Sequence, residues 1–258
     1  SDVVDRVIGA DIHFAAEKIL LVNTCGSCLD PYELGYPEQA KLLKWLDKVR
    51  PEEIILETHL NTLDRDTILK VRELLPNKKV SFEIGVESVS PDVLFYSMNK
   101  PSGIERMKEK LELIHSVHAA CIANVLLGAP FLTREEQIWD SAEAIRALLD
   151  AGADSVVLFP VNIKPHTLPD LLYEEGMYQQ IRADMLVTVL ERIPETELHR
   201  VDLSWYGEHA EEKVIGPYYC PKCQGSLNSY TSDLVLAKTA EERNSRLCKL
   251  SEQRCARE

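Results

Sequence analysis

The stretch VSFEIGVES, residues 80–88, joins a short apolar run to a polar end. Residues 80–86 are mostly apolar on both faces, which is typical of a strand buried in a parallel sheet. Glu87 and Ser88 follow directly, at the point where such a strand would end. The stretch therefore predicts a buried strand with hydrogen-bonding groups at its carboxyl end.

Similar strand patterns recur along the chain, separated by segments with helical spacing of apolar residues. The other predicted strands are residues 18–24, 53–58, 121–127, 155–161 and 199–206. Helices are predicted at 39–49, 64–75 with Asp64 as N-cap, 104–118, from the capping box of Thr133 and Glu136 to about Gly152, and in segments to about Arg192. Six strands separated by long helices predict an α/β fold with a parallel sheet. An open doubly wound sheet and a curved, barrel-like sheet fit this pattern equally.

Polar groups and turns follow five of the six predicted strands. They are found in the stretches 23–31, 57–59, 85–88, 124–131 and 159–162. In either architecture the carboxyl ends of parallel strands line the ligand site. We therefore expect these stretches to contribute to one functional edge.

Five motifs carry a resemblance to a known family. They are NTCGSCLDP (23–31), ILETH (55–59), FEIGVESVSPDVLFYSMNK (82–100), LLGAPFLTREE (126–136) and FPVNIKPHTLPDLLYEEGMY (159–178). In this order they resemble the radical S-adenosylmethionine (SAM) superfamily, and more narrowly the group that includes the radical SAM subunit of archaeosine synthase. The resemblance covers roughly residues 18–180. It implies a partial (β/α)6 TIM-like barrel over residues 1–206, without the superfamily's first strand and cluster loop.

The resemblance also implies that SAM lies across the carboxyl edge of the strands. The implied SAM contacts are Gly26, Ser27, Asp30, Glu57, Glu87, Ser88, Asn124 and Asn162. The loop 26–30 would meet the amino group of SAM, and residues 159–162 would line its adenine. Carboxylates accept hydrogen bonds from ammonium and ribose hydroxyl groups, so these residue types suit such roles. No catalytic residue is assigned.

The superfamily's CxxxCxxC motif, which holds a [4Fe-4S] cluster, has no counterpart in residues 1–24. Cys25 and Cys28 form a CxxC pair, but the pair lies one strand too late and supplies only two thiolates. Leu29, Asp30 and Pro31 follow it, which disfavours a thioredoxin-like redox motif. Because the sequence does not begin with Met, we expect a cluster-binding segment upstream of Ser1. The alternative is a SAM-fold protein without radical chemistry.

The C-terminal extension, residues 207–258, contains a second cysteine pattern. Cys220 and Cys223 form a metal-knuckle motif, and Cys248 and Cys255 follow it. Four thiolates suit either zinc or an auxiliary iron–sulfur cluster, and unligated surface thiols are the alternative. Cys121, within an apolar strand, is expected in the core. The charged tail 241–258 is expected to form a solvated helix.

The charge, apolar content and cysteine content of the chain limit the classes of function that fit it. The net charge is −13, from 29 basic and 42 acidic residues, which disfavours a large nucleic-acid surface. The sequence shows neither an apolar run of membrane-spanning length nor a signal peptide at its start, and its seven cysteines suit the reducing cytoplasm. The prediction is a radical SAM enzyme that takes electrons from an external donor and acts on a small molecule, for example by group transfer from SAM in the biosynthesis of an unusual amino acid. A tRNA-modifying enzyme of the archaeosine-synthase type and a degenerate, metal-stabilised binding protein are the alternatives.

Overall fold

A computed structural model describes residues 2–10, 12, 14, 17–24, 26–100, 103–204, 214–218 and 239–252. Its strands are β1 (Ile19–Val22), β2 (Glu53–His59), β3 (Lys79–Glu87), β4 (Ala120–Leu127), β5 (Ser155–Pro160) and β6 (Val201–Leu203). The α-helices of the described part are α1 (Asp2–Gly9), α2 (Tyr36–Leu46), α3 (Arg65–Leu74), α4 (Ile104–Ser116), α5 (Arg134–Asp150), α6 (Leu168–Glu174), α7 (Ala183–Leu190) and α8 (Ala240–Glu252). A π-helix covers Val93–Ser97, and a 3-10 helix covers Leu198–Arg200.

The strands form a six-stranded sheet in the order β1-β2-β3-β4-β5-β6. The pairs β1–β2, β2–β3 and β5–β6 are parallel. Sequential order with helices between strands confirms the predicted α/β class. β1 is shorter than predicted, and β6 is shorter because residues 198–200 turn as a 3-10 helix before the strand begins.

The first compact unit comprises residues 1–86, 105–123 and 151–154. Alternate residues of β2 are buried, including Ile54 and Leu56, whereas β3 is buried continuously from Val80 to Ile84. Helices α2 and α3 bury their own apolar residues in the same unit. Cys121 is fully buried, which confirms its predicted core position.

One side of this unit is more open. In the described sheet, β1 is an outermost strand. Ile19 and Leu21, on one face of β1, are 53% and 49% exposed. Beside the strand lies an apolar groove of about 410 Å³, lined among others by Val7, Leu20 and Trp45.

The second compact unit comprises residues 87–104, 124–150 and 155–258. Within it, α5 packs against α7 and β5, and α8 packs against α7 and the 3-10 helix. Helix formation at the charged tail is confirmed over Ala240–Glu252.

The expectation that this helix is simply solvated is wrong at Arg243. That side chain is only 7% exposed, and it donates to the carbonyl oxygens of Leu198 and Val201 and to the carboxylate of Asp202. Arg243 thus faces the protein from a helix rich in charged residues, which the run of charges did not predict.

Two predicted helix caps are confirmed. Asp64 Oδ1 accepts from Thr67 N–H at 2.7 Å, and this backbone hydrogen bond lowers the pKa of Asp64. Thr133 donates through its amide and its hydroxyl to Glu136 Oε2, both at 2.7 Å, closing the capping box.

Within the described ranges, no helix has the length and apolar character needed to cross a bilayer. The predicted domain boundary at residues 206 and 207 falls outside the described residues, so it stays a prediction.

Candidate functional site

The loop after β1 is built around the backbone of Gly26 and Ser27. Ser27 is fully buried, and its N–H donates to Glu33 Oε2 at 2.7 Å. A Cβ atom at position 26 would lie 2.6 Å from Glu33 Oε1, so a larger residue there would force the carboxylate to move from the position in which it accepts from Ser27. Glu33 was not among the predicted site residues.

Three hydroxyl groups join this loop to the end of β2. Ser27 Oγ lies 2.7 Å from Thr58 Oγ1 and 3.0 Å from Thr62 Oγ1, and the two threonine oxygens are 2.9 Å apart. Thr62 also donates to the carbonyl oxygen of His59 at 2.9 Å. The group formed by Ser27, Thr58 and Thr62 is called the hydroxyl ring below. Ser27 therefore makes its hydrogen bonds within the protein.

Cys28 is buried beside the backbone of Glu57. Its N–H lies 3.4 Å and its Sγ 3.3 Å from the Glu57 carbonyl oxygen, which accepts from both. Burial raises the pKa of the Cys28 thiol to about 12, so the thiol stays protonated at neutral pH. A protonated, buried thiol suits neither metal binding nor redox exchange. Its CxxC partner, Cys25, lies outside the described residues.

Asp30 and Glu57 are both half-buried. Asp30 Oδ1 accepts from Tyr32 N–H at 2.8 Å, which holds the turn that follows. Glu57 is the register partner of Glu83 on the neighbouring strand β3, so the two carboxylate side chains share one face of the sheet. The sequence analysis did not predict Glu83 as a site residue. Its alternation with the apolar Ile84 in β3 could have indicated a polar group on this face of the strand. The first unit thus brings Gly26, Ser27, Asp30 and Glu57 together.

In the second unit, Glu87 has an unusual backbone. Its φ is 70°, in the left-handed region that costs a non-glycine residue about 1–3 kcal/mol. Its carboxylate pairs with Lys100 Nζ at 3.0 Å, and both side chains are 24% exposed. Such strain persists only where surrounding contacts fix the backbone, and it concentrates at functional sites.

Ser88 lies next to Glu87 but is fully buried. Its hydroxyl donates to Asp140 Oδ1 at 2.8 Å and accepts from Ser90 N–H at 3.0 Å. Burial raises the pKa of Asp140 above its ordinary value of 3.8, opposed in part by the Ser88 hydrogen bond. Ser88 thus follows Glu87 in the chain, and its hydroxyl group joins this segment to Asp140 of α5.

Asp140→Asn is expected to stabilise the protein near neutral pH. Because the folded pKa of Asp140 is raised, its contribution to stability is full below the unfolded pKa and is lost as the pH rises through the folded pKa. Asparagine keeps an acceptor for Ser88 and carries no charge. Urea unfolding should show a gain at about pH 7 that shrinks as the pH falls towards 3.8, the ordinary pKa of the carboxyl group. A gain independent of pH would contradict the assigned cause.

The remaining predicted SAM contacts are Asn124 and Asn162. Asn124 is buried within β4, and Asn162 follows β5. Just before Asn162, Val161 N–H donates to the carbonyl oxygen of Leu127 at 2.8 Å, which joins the ends of β4 and β5. Ile163 then pairs with Ile215 through an antiparallel bridge.

The loops after β3 and β4 carry exposed aromatic side chains. Phe95 and Tyr96, in the π-helix, form an edge-to-face pair with ring centroids 4.9 Å apart. Ser97 donates to the carbonyl oxygen of Pro130 at 2.7 Å, which links the two loops. The adjacent Phe131 is exposed and has a φ of 69°.

Of the predicted metal ligands, Cys220, Cys223 and Cys255 lie outside the described residues. Cys248 is an exposed free thiol on α8. Within the part of the chain that the structure describes, no three His, Cys, Asp or Glu side chains are grouped as a metal would require. The four-thiolate site therefore stays a prediction.

Sequence comparisons identify relatives of this chain, although no family model matches it. It is 25% identical over 179 residues to archaeosine synthase subunit beta of Thermococcus kodakarensis, covering 69% of this chain and 54% of that protein. It is 22% identical over 240 residues to the protein of the same name from Methanosarcina acetivorans, covering 92% and 68%. An uncharacterized protein of Methanocaldococcus jannaschii is 23% identical over 177 residues, covering 68% and 47%. The chain thus spans about half the length of the first and third of these relatives.

Solved structures show the same fold. Elp3 of Methanocaldococcus infernus superposes with a TM-score of 0.55 at 15% identity, covering 75% of this chain and 45% of that one. TsrM of Kitasatospora setae, a radical SAM methyltransferase, superposes with a TM-score of 0.51 at 9% identity, covering 92% and 52%. At such identities the likeness shows the fold alone. It confirms the predicted partial (β/α)6 TIM-like fold class, and the sequence matches confirm the resemblance carried by the motifs.

Proposed function

We propose that this chain, which resembles archaeosine synthase subunit beta in sequence and a radical SAM methyltransferase in fold, is the SAM-binding part of a radical SAM enzyme. The observation that carries this proposal is Glu87, a strained residue whose partly exposed carboxylate is held by Lys100 at the end of β3. In the proposal, Glu87 accepts from the ribose hydroxyls. Bound SAM would supply a carbon radical or a group for transfer, and the protein would orient it and exclude water.

The described residues fit the two ends of SAM by their chemistry. The loop 26–30 offers backbone groups and the nearby carboxylates of Glu33 and Glu57, which suit an ammonium group. We assign the methionine end of SAM to this set. Glu87 and Asn124 offer acceptors and an amide for the ribose and amino-acid portion, and Asn162 belongs to the stretch proposed for adenine. Ser27 and Ser88 are buried, and in the proposal they hold the neighbouring residues of these two sets in place.

The described residues do not supply ligands for a [4Fe-4S] cluster. Cys28 and Cys121 are buried, and Cys248 has no grouped partner among the described residues. In the proposal the cluster cysteines and the entry point for an external electron donor lie outside the described part of the chain. Cys220, Cys223, Cys248 and Cys255 are proposed to bind zinc or an auxiliary cluster separately.

Two substrate classes follow from different observations. The net charge of −13 favours a small molecule, because tRNA binding relies on clustered basic residues. The likeness to archaeosine synthase subunit beta favours the second class, a tRNA-modifying enzyme of the archaeosine-synthase type. Anaerobically prepared, cluster-loaded full-length protein should cleave SAM in both cases. Salt-dependent retention of tRNA would support the second class, and retention absent even at low salt would support the first.

Glu87→Ala is expected to weaken SAM binding by at least about ten-fold, since charge-assisted hydrogen bonds contribute about 1.5–3 kcal/mol each and about 1.4 kcal/mol is a factor of ten. Calorimetric titration of SAM into cluster-loaded full-length protein measures this. Glu105→Ala is the matched control, because Glu105 also pairs with a lysine, at 2.8 Å, but is 80% exposed.

The Glu105 control should bind SAM as the parent does. Parent-like affinity in Glu87→Ala would remove the ribose assignment. If Glu57→Ala also left the affinity unchanged, SAM binding by these strand ends would be refuted.

A further inference from the structure

The hydroxyl ring has fewer hydroxyl protons than hydrogen-bonding contacts. Ser27, Thr58 and Thr62 each carry one hydroxyl proton, but they make three contacts with one another, and Thr62 also contacts the His59 carbonyl oxygen. Four contacts thus share three protons. His59 N–H adds a long contact to Ser27 Oγ, at 3.4 Å. Each hydroxyl therefore depends on the other two, and removing one breaks at least two of the contacts.

The hydroxyl ring lies next to the backbone of Glu57. Thr58 follows Glu57 in β2, and the Glu57 carbonyl oxygen accepts from both the amide and the thiol of Cys28. Cys28 in turn follows Ser27, a member of the ring. Two successive residues of the loop, Ser27 and Cys28, thus contact two successive residues of β2, Thr58 and Glu57. These contacts fix the loop 26–30 to Glu57.

The ring is buried enough to hold this geometry. Ser27 is fully buried and Thr58 nearly so, while Thr62 is half-buried. Buried hydroxyl groups are costly to leave unsatisfied, so the strand end returns to the one arrangement that satisfies them. The backbone of Ser27 is held separately, because its N–H donates to Glu33 Oε2.

We infer that Thr58 and Thr62 are positioning residues that hold Glu57 and the loop 26–30 in the geometry that binds the methionine end of SAM. The inference rests on the proposed function, in which Glu57 and this loop contact SAM. The two threonines act through Glu57 and touch no ligand themselves. A displacement of about 1 Å at a catalytic site can lower the reaction rate about a hundred-fold.

The test compares two substitutions at Thr58, one that removes its hydroxyl group and one that removes its methyl group. Thr58→Val keeps the volume and removes the hydroxyl, and it should weaken SAM binding by about ten-fold or more. Thr58→Ser keeps the hydroxyl and removes a buried methyl, and it should lower the thermal midpoint by about 2–4 °C with affinity close to the parent. Thr188→Val is the control, because Thr188 donates to a helical carbonyl, that of Asp184, at 3.1 Å in α7. The control should leave SAM affinity unchanged.

A second readout needs no ligand. Hydrogen exchange of the loop 26–34 should accelerate in Thr58→Val and in Thr62→Val and stay near the parent rate in Thr58→Ser. In the Glu57→Ala background, Thr58→Val should add little further loss of SAM affinity, because it acts through Glu57.

The outcomes separate the two proposals. If Glu57→Ala weakens SAM binding and Thr58→Val does not, the positioning role is wrong and the proposed function stands. If Thr58→Val weakens binding equally with and without Glu57, the threonine does not act through Glu57 and the inference is overturned. If Glu57→Ala is silent, Glu57 is not a SAM contact and the inference falls with that assignment.

Discussion

Replacing Gly128 with alanine is expected to destabilise the protein by about 2–6 kcal/mol, because backbone strain and overpacking each cost about 1–3 kcal/mol. Gly128 has a φ of 113°, a conformation that residues with a Cβ atom rarely adopt. A Cβ there would lie 2.5 Å from Ile181 Cδ1 and 2.9 Å from the Tyr178 hydroxyl. Tyr178 cannot easily move away, since it is buried and donates to the Gly128 carbonyl oxygen at 2.6 Å.

Gly152→Ala separates the two causes. Gly152 has a similar φ of 106°, but the nearest atom to its added Cβ is 3.9 Å away. This control should show backbone strain alone, about 1–3 kcal/mol. Urea unfolding of both variants measures the difference. Equal losses would mean that Ile181 and Tyr178 adjust freely, and the close packing at the end of β4 would then be unimportant to stability.

Arg243→Ala is expected to release α8 locally. The substitution removes the hydrogen bonds of the buried guanidinium to the carbonyl oxygens of Leu198 and Val201 and to the carboxylate of Asp202, and hydrogen bonds of charged groups contribute about 1.5–3 kcal/mol each. Protection of the α8 amides from hydrogen exchange should therefore fall by about one hundred-fold, as about 1.4 kcal/mol corresponds to ten-fold. Peptides from β2 and β3 should keep the parent exchange rates.

Two variants define what Arg243 contributes. Arg243→Lys keeps the charge but not the planar fork of donors, so it should restore only part of the protection. Glu241→Ala changes an exposed residue of the same helix and should alter stability by less than about 0.5 kcal/mol. Full protection in Arg243→Ala would show that α8 is held by its apolar contacts.

Local patterns along the chain predicted most of the fold. The strands around residues 53–58, 80–86 and 121–127 were predicted within one or two residues of their observed bounds, because each is an apolar run bounded by turns. The caps at Asp64 and at Thr133 were predicted because they depend on residues three positions apart. Family resemblance was needed to choose a barrel over an open sheet, since both have the same periodicity.

The contacts that shape the candidate site could not be predicted in this way. Ser27 and Thr58 are 31 residues apart, and Arg243 and Val201 are 42 apart. Such pairs meet only after the strands have paired, and no spacing in the sequence encodes them. Glu33 was missed for a related reason, since its role depends on the conformation of the loop around Gly26.

Among the described residues no strand pairs with the outer edge of β1, which has a practical consequence for handling this chain. A strand with an open edge and exposed apolar side chains can pair with the same strand of another molecule, which promotes aggregation. Ile19 and Leu21 lie on this edge beside an apolar groove. Mutual repulsion from the net charge of −13 opposes such encounters, and salt screens that repulsion. The colloidal stability of purified material should therefore be greatest at low ionic strength and decline as salt is added.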